Sequence, residues 1–184
     1  MPLPEDYIAV LGELSGAFGA YRLLTGGEAV LVGGAATAIY TAGAFPSGDF
    51  DVVATNDPAF AAAMLMHGFR REDGAGCLLG GFYHPDYPAY GVQQVSGALF
   101  DGRADRGRLV RMVVRAEWSV VLPSIEDMIA DRLGQHAAAP ASDDSRLRQA
   151  QMLFHLAAKP DIDYLKRRIT EEGGDPAQLG LATE

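Results

Sequence analysis

The sequence has little cysteine, a shortage of positive charge and no long apolar run. Its one cysteine, Cys77, excludes an internal disulfide and a cysteine-based zinc site, which fits a reducing cytoplasm. The 15 basic residues are outnumbered by 24 acidic ones, for a net charge of −9. Broad electrostatic binding of nucleic acid is therefore disfavoured, although a local basic groove is still allowed.

The N-terminal segment MPLPEDYIAVLGEL is acidic rather than basic and has no long apolar core, so we expect neither a signal peptide nor a membrane anchor. The four histidines include His84, His136 and His155, none of which has the spacing of a metal site. The 184 residues, 48% hydrophobic and 21% charged, are enough for one well-buried domain.

Hydrophobic spacing and turn residues predict helices and strands in the order α-β-α-β-α, then several strands, then helices. The predicted helices cover about residues 4–24, 35–44, 56–67, 123–136, 142–158 and 160–169. The predicted strands cover about residues 29–32, 49–54, 77–83, 91–95, 109–114 and 118–122, with a hairpin turn at 116–117. This pattern predicts a core at 1–122, a helical part at 123–172 and a loosely held tail at 173–184.

The segment VLVGGAATAIYTAGAFPSGDFDVVA, residues 30–54, carries the most chemical information. Successive side chains of a strand point to opposite faces, so Asp49 and Asp51 share one face and Phe50 takes the other. Paired carboxylates on a rigid strand suit a divalent metal, and the glycines Gly33 and Gly34 let phosphate oxygens approach backbone amides at a helix N-terminus. The alternatives are a solvent-facing strand edge for the aspartates and close helix–strand packing for the glycines.

This segment resembles the signature of the nucleotidyltransferase superfamily named after DNA polymerase beta. That signature is an apolar residue, Gly-Gly or Gly-Ser, a helix, and Asp-x-Asp on the next strand; here it is Val32-Gly33-Gly34 and Asp49-Phe50-Asp51. The C-terminal motifs VLPSIEDMIADRLGQH, SRLRQAQMLFHL and DIDYLKRRI are similar to those of small stand-alone bacterial members related to abortive-infection and toxin–antitoxin nucleotidyltransferases. The resemblance covers about residues 25–172 and implies an α+β fold, a mixed β-sheet flanked by helices with a helical C-terminal part.

The resemblance also implies metal-dependent transfer of a nucleoside monophosphate from a nucleoside triphosphate to a hydroxyl of a nucleic-acid end or a protein. Asp49 and Asp51 would hold Mg²⁺ or Mn²⁺. Gly33 and Gly34 would hold phosphates, with Ser47 as a further phosphate donor.

The family places a third carboxylate on a later strand, and here the sequence departs from the pattern. The matching stretch is 91–97, in which Gln94 stands where the acid is expected; an amide can bind a metal through its oxygen but cannot act as a base. Asp101 and Asp105 are possible substitutes. Two hypotheses follow: an active nucleotidyltransferase, or a degenerate relative that binds nucleotide or a protein partner without transfer.

Other features of the sequence have both a functional and a structural interpretation. The arginines at 103, 106, 108, 111 and 115 predict a basic strip beside the cleft or, equally, solvated side chains paired with acids. We predict an ion pair between Asp131 and Arg132 that holds its helix against the sheet. The apolar spacing of Met152, Phe154 and Leu156 predicts internal packing.

Overall fold

The computed structural model describes residues 3–72, 81–115 and 118–182. The α-helices are α1 (Glu5–Thr25), α2 (Gly33–Tyr40), α3 (Asp57–Met66), α4 (Ile125–Ala138), α5 (Ser145–Leu156) and α6 (Ile162–Glu171). The strands are β1 (Val30–Val32), β2 (Asp49–Val53), β3 (Arg70–Arg71), β4 (Gly81–His84), β5 (Tyr87–Ser96), β6 (Val110–Arg115) and β7 (Trp118–Leu122). Short 3₁₀ turns occur at Leu99–Gly102, Arg106–Arg108 and Pro176–Leu179.

The elements follow the order predicted from the sequence, with local differences. Helix α2 ends at Tyr40 rather than near 44, because the chain turns through left-handed backbone at Ala42 and Gly43. Strand β5 is ten residues long, twice the predicted length, and the two-residue β3 was not predicted. The first part of the predicted strand 77–83 and the predicted turn at 116–117 lie outside the described residues.

The main sheet has the order β1-β2-β5-β4-β3, and its central pair is parallel. Strands β1 and β2, β5 and β4, and β4 and β3 are antiparallel, so the sheet is mixed, as predicted. Strands β6 and β7 form a separate antiparallel pair that contacts α1 and β1. No helix in the described part of the chain is long and apolar enough to cross a membrane.

Helices α1 and α3 cover one face of the main sheet. Phe50 of β2 lies 4.8 Å, between ring centroids, from Tyr7 of α1, and Phe60 of α3 lies 5.9 Å from Phe82 of β4. Fully buried Val52 belongs to the same face. Because side chains alternate along β2, its acidic residues lie on the opposite face, where α2 packs against β2 and in turn contacts α4.

The larger hydrophobic cluster, here called the core, includes residues of both predicted parts, from Leu11 of α1 to Leu165 of α6. We expected residues 173–184 to be loosely held, but in the described portion Pro176 is buried and Leu179 and Leu181 pack against this core. Helix α5 buries Ala150 and Leu153.

The expected internal packing on α5 is only partly correct. Phe154 packs against the core, whereas Met152 and Leu156 are 38% and 47% exposed. A helix that lies on the outside of the bundle buries a narrow stripe, so neighbours of the buried positions remain at the edge.

Candidate active site

Asp49 and Asp51 share the face of β2 that is turned away from α1 and α3. Asp49 is exposed and Asp51 is half-buried, whereas Phe50 between them is fully buried. The parallel register pairs Asp49 with Gly91 and Asp51 with Gln93 of β5. An added Cβ at Gly91 would lie 3.0 Å from Oδ1 of Asp49, so the glycine leaves room for that carboxylate.

The glycine turn between β1 and α2 lies directly against these aspartates. Gly33 has φ +66°, and an added Cβ there would lie 2.5 Å from Oδ2 of Asp51. An added Cβ at Gly34 would lie 2.8 Å from Oγ of Ser47, whose hydroxyl donates to the backbone oxygen of Asp49 at 2.9 Å. At position 33 only glycine accommodates both the left-handed backbone and the close carboxylate. The structure therefore brings together five of the six residues named from the sequence: Gly33, Gly34, Ser47, Asp49 and Asp51.

Burial and a like charge act together on Asp51. Burial raises the pKa of this carboxyl above its ordinary value, and the neighbouring charges of Asp49 and Asp131 raise it further, while Arg132 opposes them. A partly desolvated carboxylate pair of this kind is stabilised by a bound cation.

The donor set fits a hard divalent ion. Two carboxylates of one strand face supply oxygen ligands, which Mg²⁺ and Mn²⁺ prefer. Within residues 3–72, 81–115 and 118–182, no group of three or more His, Cys, Asp or Glu side chains is arranged to hold a metal by itself. Substrate oxygens and water would therefore complete the coordination, as is usual for Mg²⁺.

Gln94 does not join the aspartates. Its register partner on β2 is Val52, which places it on the face covered by α1 and α3. Its side-chain amide donates to the backbone oxygen of Ala54 at 3.0 Å and to Oδ1 of Asp57 at 2.6 Å. The geometry therefore corrects the assignment of Gln94 to the third position of the site.

The residue that faces Asp51 from β5 is Gln93, which the sequence reasoning missed. Gln93 is exposed and is the register partner of Asp51. A shift of one residue in the register moves each side chain to the other face of the sheet. The sequence alone does not determine the register between strands that are about 40 positions apart. On the face of Asp51, strand β5 therefore presents the neutral amide of Gln93, and Gln94 does not lie there.

A cavity of about 260 Å³ opens beside Asp51. Its walls include Gly33, Phe100, Asp101, Asp131 and Gln135. Of the two substitutes considered from the sequence, only Asp101 lines this cavity.

The other substitute, Asp105, has a structural role. It caps the turn Arg106–Arg108 by accepting from the backbone nitrogen of Gly107 at 2.8 Å. It also lies 3.8 Å from Arg108.

Three of the five arginines expected to form a basic strip are paired with acidic residues, and the side chain of Arg115 lies outside the described part of the structure. Arg108 donates to Asp161 at 2.7 Å, and Arg111 donates to Glu28 at 2.7 Å. Arg103 donates to the backbone oxygen of Glu171 at 2.8 Å. These pairings favour the structural interpretation of the strip.

Asp131 and Arg132 form the predicted ion pair. Nε of Arg132 donates to Oδ2 of Asp131 at 3.0 Å, and Gln135 donates to Oδ1 at 3.1 Å. Both residues are buried and both belong to α4, so the pair lies within this helix beside the cavity and, contrary to our expectation, does not by itself hold the helix against the sheet.

Comparisons with solved structures place this geometry in a known fold. A nucleotidyltransferase-like antigenic protein from Paracoccidioides brasiliensis is 14% identical, with a TM-score of 0.62 over 93% of this chain and 89% of that chain. The antibiotic-resistance factor ANT(2'')-Ia is 13% identical, with a TM-score of 0.56 over 89% of this chain and 90% of that chain. No protein-family model matches the chain, and no curated protein matches it.

At such identities the likeness establishes the fold alone. The chain therefore has a nucleotidyltransferase-like fold, and the α+β class predicted from the sequence is confirmed.

Proposed function

We propose that this protein is a metal-dependent nucleotidyltransferase that moves a nucleoside monophosphate from a nucleoside triphosphate to an acceptor hydroxyl. The observation that carries the proposal is the close approach of the glycine turn to the carboxylate pair. Oδ2 of Asp51 lies so near Gly33 that a side chain at position 33 would collide with it. Backbone that would bind phosphate thus lies beside carboxylates that would bind a metal, which supports attack on a phosphorus of a bound triphosphate.

Each residue of the site has a role in this reaction. Asp49 and Asp51 would hold Mg²⁺ or Mn²⁺, which when bound neutralises triphosphate charge and polarises the attacked phosphorus. The backbone at Gly33 and Gly34 approaches the phosphates, and Ser47 lies against Gly34 where its hydroxyl can turn to a phosphate oxygen. The acceptor oxygen bonds to the α-phosphorus, its proton is removed, and pyrophosphate leaves.

The alternative is a protein that binds nucleotide or a protein partner without transfer. The neutral amide of Gln93 opposite Asp51 favours it, because the strand that is expected to supply a third carboxylate supplies none at this position. Metal binding weakens when an anionic ligand is absent, and an amide takes up no proton.

Measuring nucleotide binding and nucleotide transfer on the same protein distinguishes the enzyme from the alternative. We expect titration calorimetry to show binding of at least one nucleoside triphosphate with Mg²⁺ or Mn²⁺, and the double variant Asp49→Asn/Asp51→Asn to lose it. Transfer of label from the α-phosphate to RNA or protein of a bacterial lysate would support the enzyme and would identify an acceptor, including a partner in a toxin–antitoxin or defence pair. Binding without transfer would support the alternative. No nucleotide binding by the parent protein would contradict the enzyme and would leave only a protein partner as the ligand of the alternative.

A matched pair of glutamine variants tests the geometry of the third position. Gln93→Glu adds a carboxylate on the face of Asp51, so we expect the apparent affinity for Mn²⁺ with nucleotide to rise about tenfold. Gln94→Glu adds the same group on the opposite face, where it meets Asp57 at hydrogen-bond distance, and should leave Mn²⁺ affinity unchanged while lowering Tm. Equal Mn²⁺ affinities for the two variants would contradict the assignment of Gln93 to the site.

A further inference from the structure

We propose that Asp101 is the catalytic base of this site, the group that removes the proton from the acceptor hydroxyl. It lines the cavity beside Asp51, but it comes from the turn Leu99–Gly102 that follows β5 rather than from the strand itself. The inference rests on the proposed nucleotidyl transfer. It assigns to Asp101 the removal of the acceptor proton, which the neutral amide of Gln93 cannot perform.

The other carboxylates of the cavity are committed elsewhere. Asp131 accepts from Arg132 at Oδ2 and from Gln135 at Oδ1, so both of its oxygens are engaged. Asp51 belongs to the metal-binding pair. Asp101 is exposed to the cavity, and its carboxylate makes no hydrogen bond or ion pair with any side chain or backbone group in the described ranges.

The turn that carries Asp101 is anchored by the two residues that precede it. Leu99 is 2% exposed and packs in a small cluster with Val32 and Val53, beneath the site. The ring of Phe100 packs against the core, with its centroid 5.8 Å from the guanidinium carbon of Arg168. These two anchors hold the start of the turn, and so the residue that follows them, at the cavity wall.

The backbone of the turn is also unusual for non-glycine residues. Phe100 has φ +46° and Asp101 has φ +54°, two consecutive left-handed residues. Each such residue is less stable than ordinary backbone by about 1 kcal/mol or more, so the buried neighbours must hold it in place. The left-handed backbone at Asp101 is part of the turn that puts its carboxylate at the cavity wall.

In the proposed step the acceptor occupies the cavity between Asp51 and Asp101. The carboxylate of Asp101 takes the hydroxyl proton, and the freed oxygen pair forms the bond to the α-phosphorus. The bond from that phosphorus to its bridging oxygen breaks, and the electron pair leaves with pyrophosphate. Charge and atoms balance without any further reactant.

The test compares Asp101→Asn with Asp105→Asn. For Asp101→Asn we expect transfer to fall about 100-fold or more, with unchanged KM for the nucleoside triphosphate, unchanged nucleotide binding by calorimetry and unchanged Tm. Asp105→Asn keeps the capping oxygen of the turn that begins at Arg106 and should retain parental transfer.

The outcomes separate this inference from the proposed function. If the parent protein transfers nucleotide, Asp49→Asn abolishes transfer and Asp101→Asn stays within twofold of the parent, Asp101 is not the base and the proposed function stands. If Asp101→Asn and Asp105→Asn lose transfer equally, the turn acts through its structure and the inference is overturned. If the parent protein shows no transfer with any acceptor, both proposals fail together.

Discussion

We expect Arg168→Met to lower the free energy of unfolding by about 3–5 kcal/mol. The Arg168 side chain is fully buried, and its Nε donates to Oδ1 of Asp127 at 2.7 Å. Its two terminal nitrogens donate to Glu171 at 2.7 Å and to Glu172 at 2.6 Å. Methionine fills similar space but leaves the carboxylate of Asp127, 1% exposed, without a compensating cation.

Chemical denaturation measures this loss against an exposed neighbour. Arg167 donates to Glu171 at 2.8 Å with about half of its side chain exposed, so Arg167→Met should cost about 1 kcal/mol or less. The double variant Asp127→Leu/Arg168→Met removes both buried charges and should recover part of the loss. A smaller effect for Arg168→Met than for Arg167→Met would show that the buried pair does not hold α4 and α6 together.

The same network explains the C-terminal motifs seen in the sequence. Ser124 caps α4 and donates to Oδ2 of Asp127 at 2.8 Å, and the hydroxyl of Tyr164 donates to the same carboxylate at 3.0 Å. One buried carboxylate thus accepts from three donors, Ser124, Tyr164 and Arg168, which come from two of the C-terminal motifs. The motifs that contain these residues were visible in the sequence, but the pairing of Arg168 with Asp127 was not, because no local pattern specifies which acid a buried arginine contacts.

Local patterns in the sequence predicted most of the site. Alternation along a strand placed Asp49 and Asp51 on one face, and a glycine pair between an apolar strand and a helix placed Gly33 against them; both need only short-range rules. The face of Gln94 depends on the register between β2 and β5, which is set by packing between segments about 40 residues apart. The position of Asp101 depends on a turn whose left-handed backbone no propensity rule anticipates.

Replacing Asp51 with asparagine should have opposite effects on activity and on stability. We expect nucleotide transfer to fall by about 10²–10³-fold, because an anionic ligand is lost at the centre of the site. In metal-free buffer, however, Tm at pH 7–8 should rise. Burial and the charge of Asp49 raise the pKa of Asp51, so the ionised carboxylate destabilises the folded state and asparagine removes that penalty.

The pH dependence identifies the cause of this stability change. Because the pKa of Asp51 is higher in the folded than in the unfolded chain, the folded state binds the proton more tightly, and the parent protein loses stability as pH rises through the folded pKa. The difference in Tm between Asp51→Asn and parent should therefore shrink towards zero as pH falls to about 4 and below, near the ordinary pKa of an aspartate. Asp49→Asn, which replaces an exposed carboxylate, should give a smaller gain at pH 7–8.

Metal ions should reverse the order of stability. Saturating Mg²⁺ or Mn²⁺ with nucleotide binds the folded parent protein and raises its Tm, whereas Asp51→Asn should gain little. A carboxylate that destabilises the folded state is typical of a residue with a binding role, because a residue with only a structural role would stabilise the fold. If Asp51→Asn is instead less stable than the parent across the whole pH range, Asp51 stabilises the fold, and the cost to stability argued here for its carboxylate is wrong.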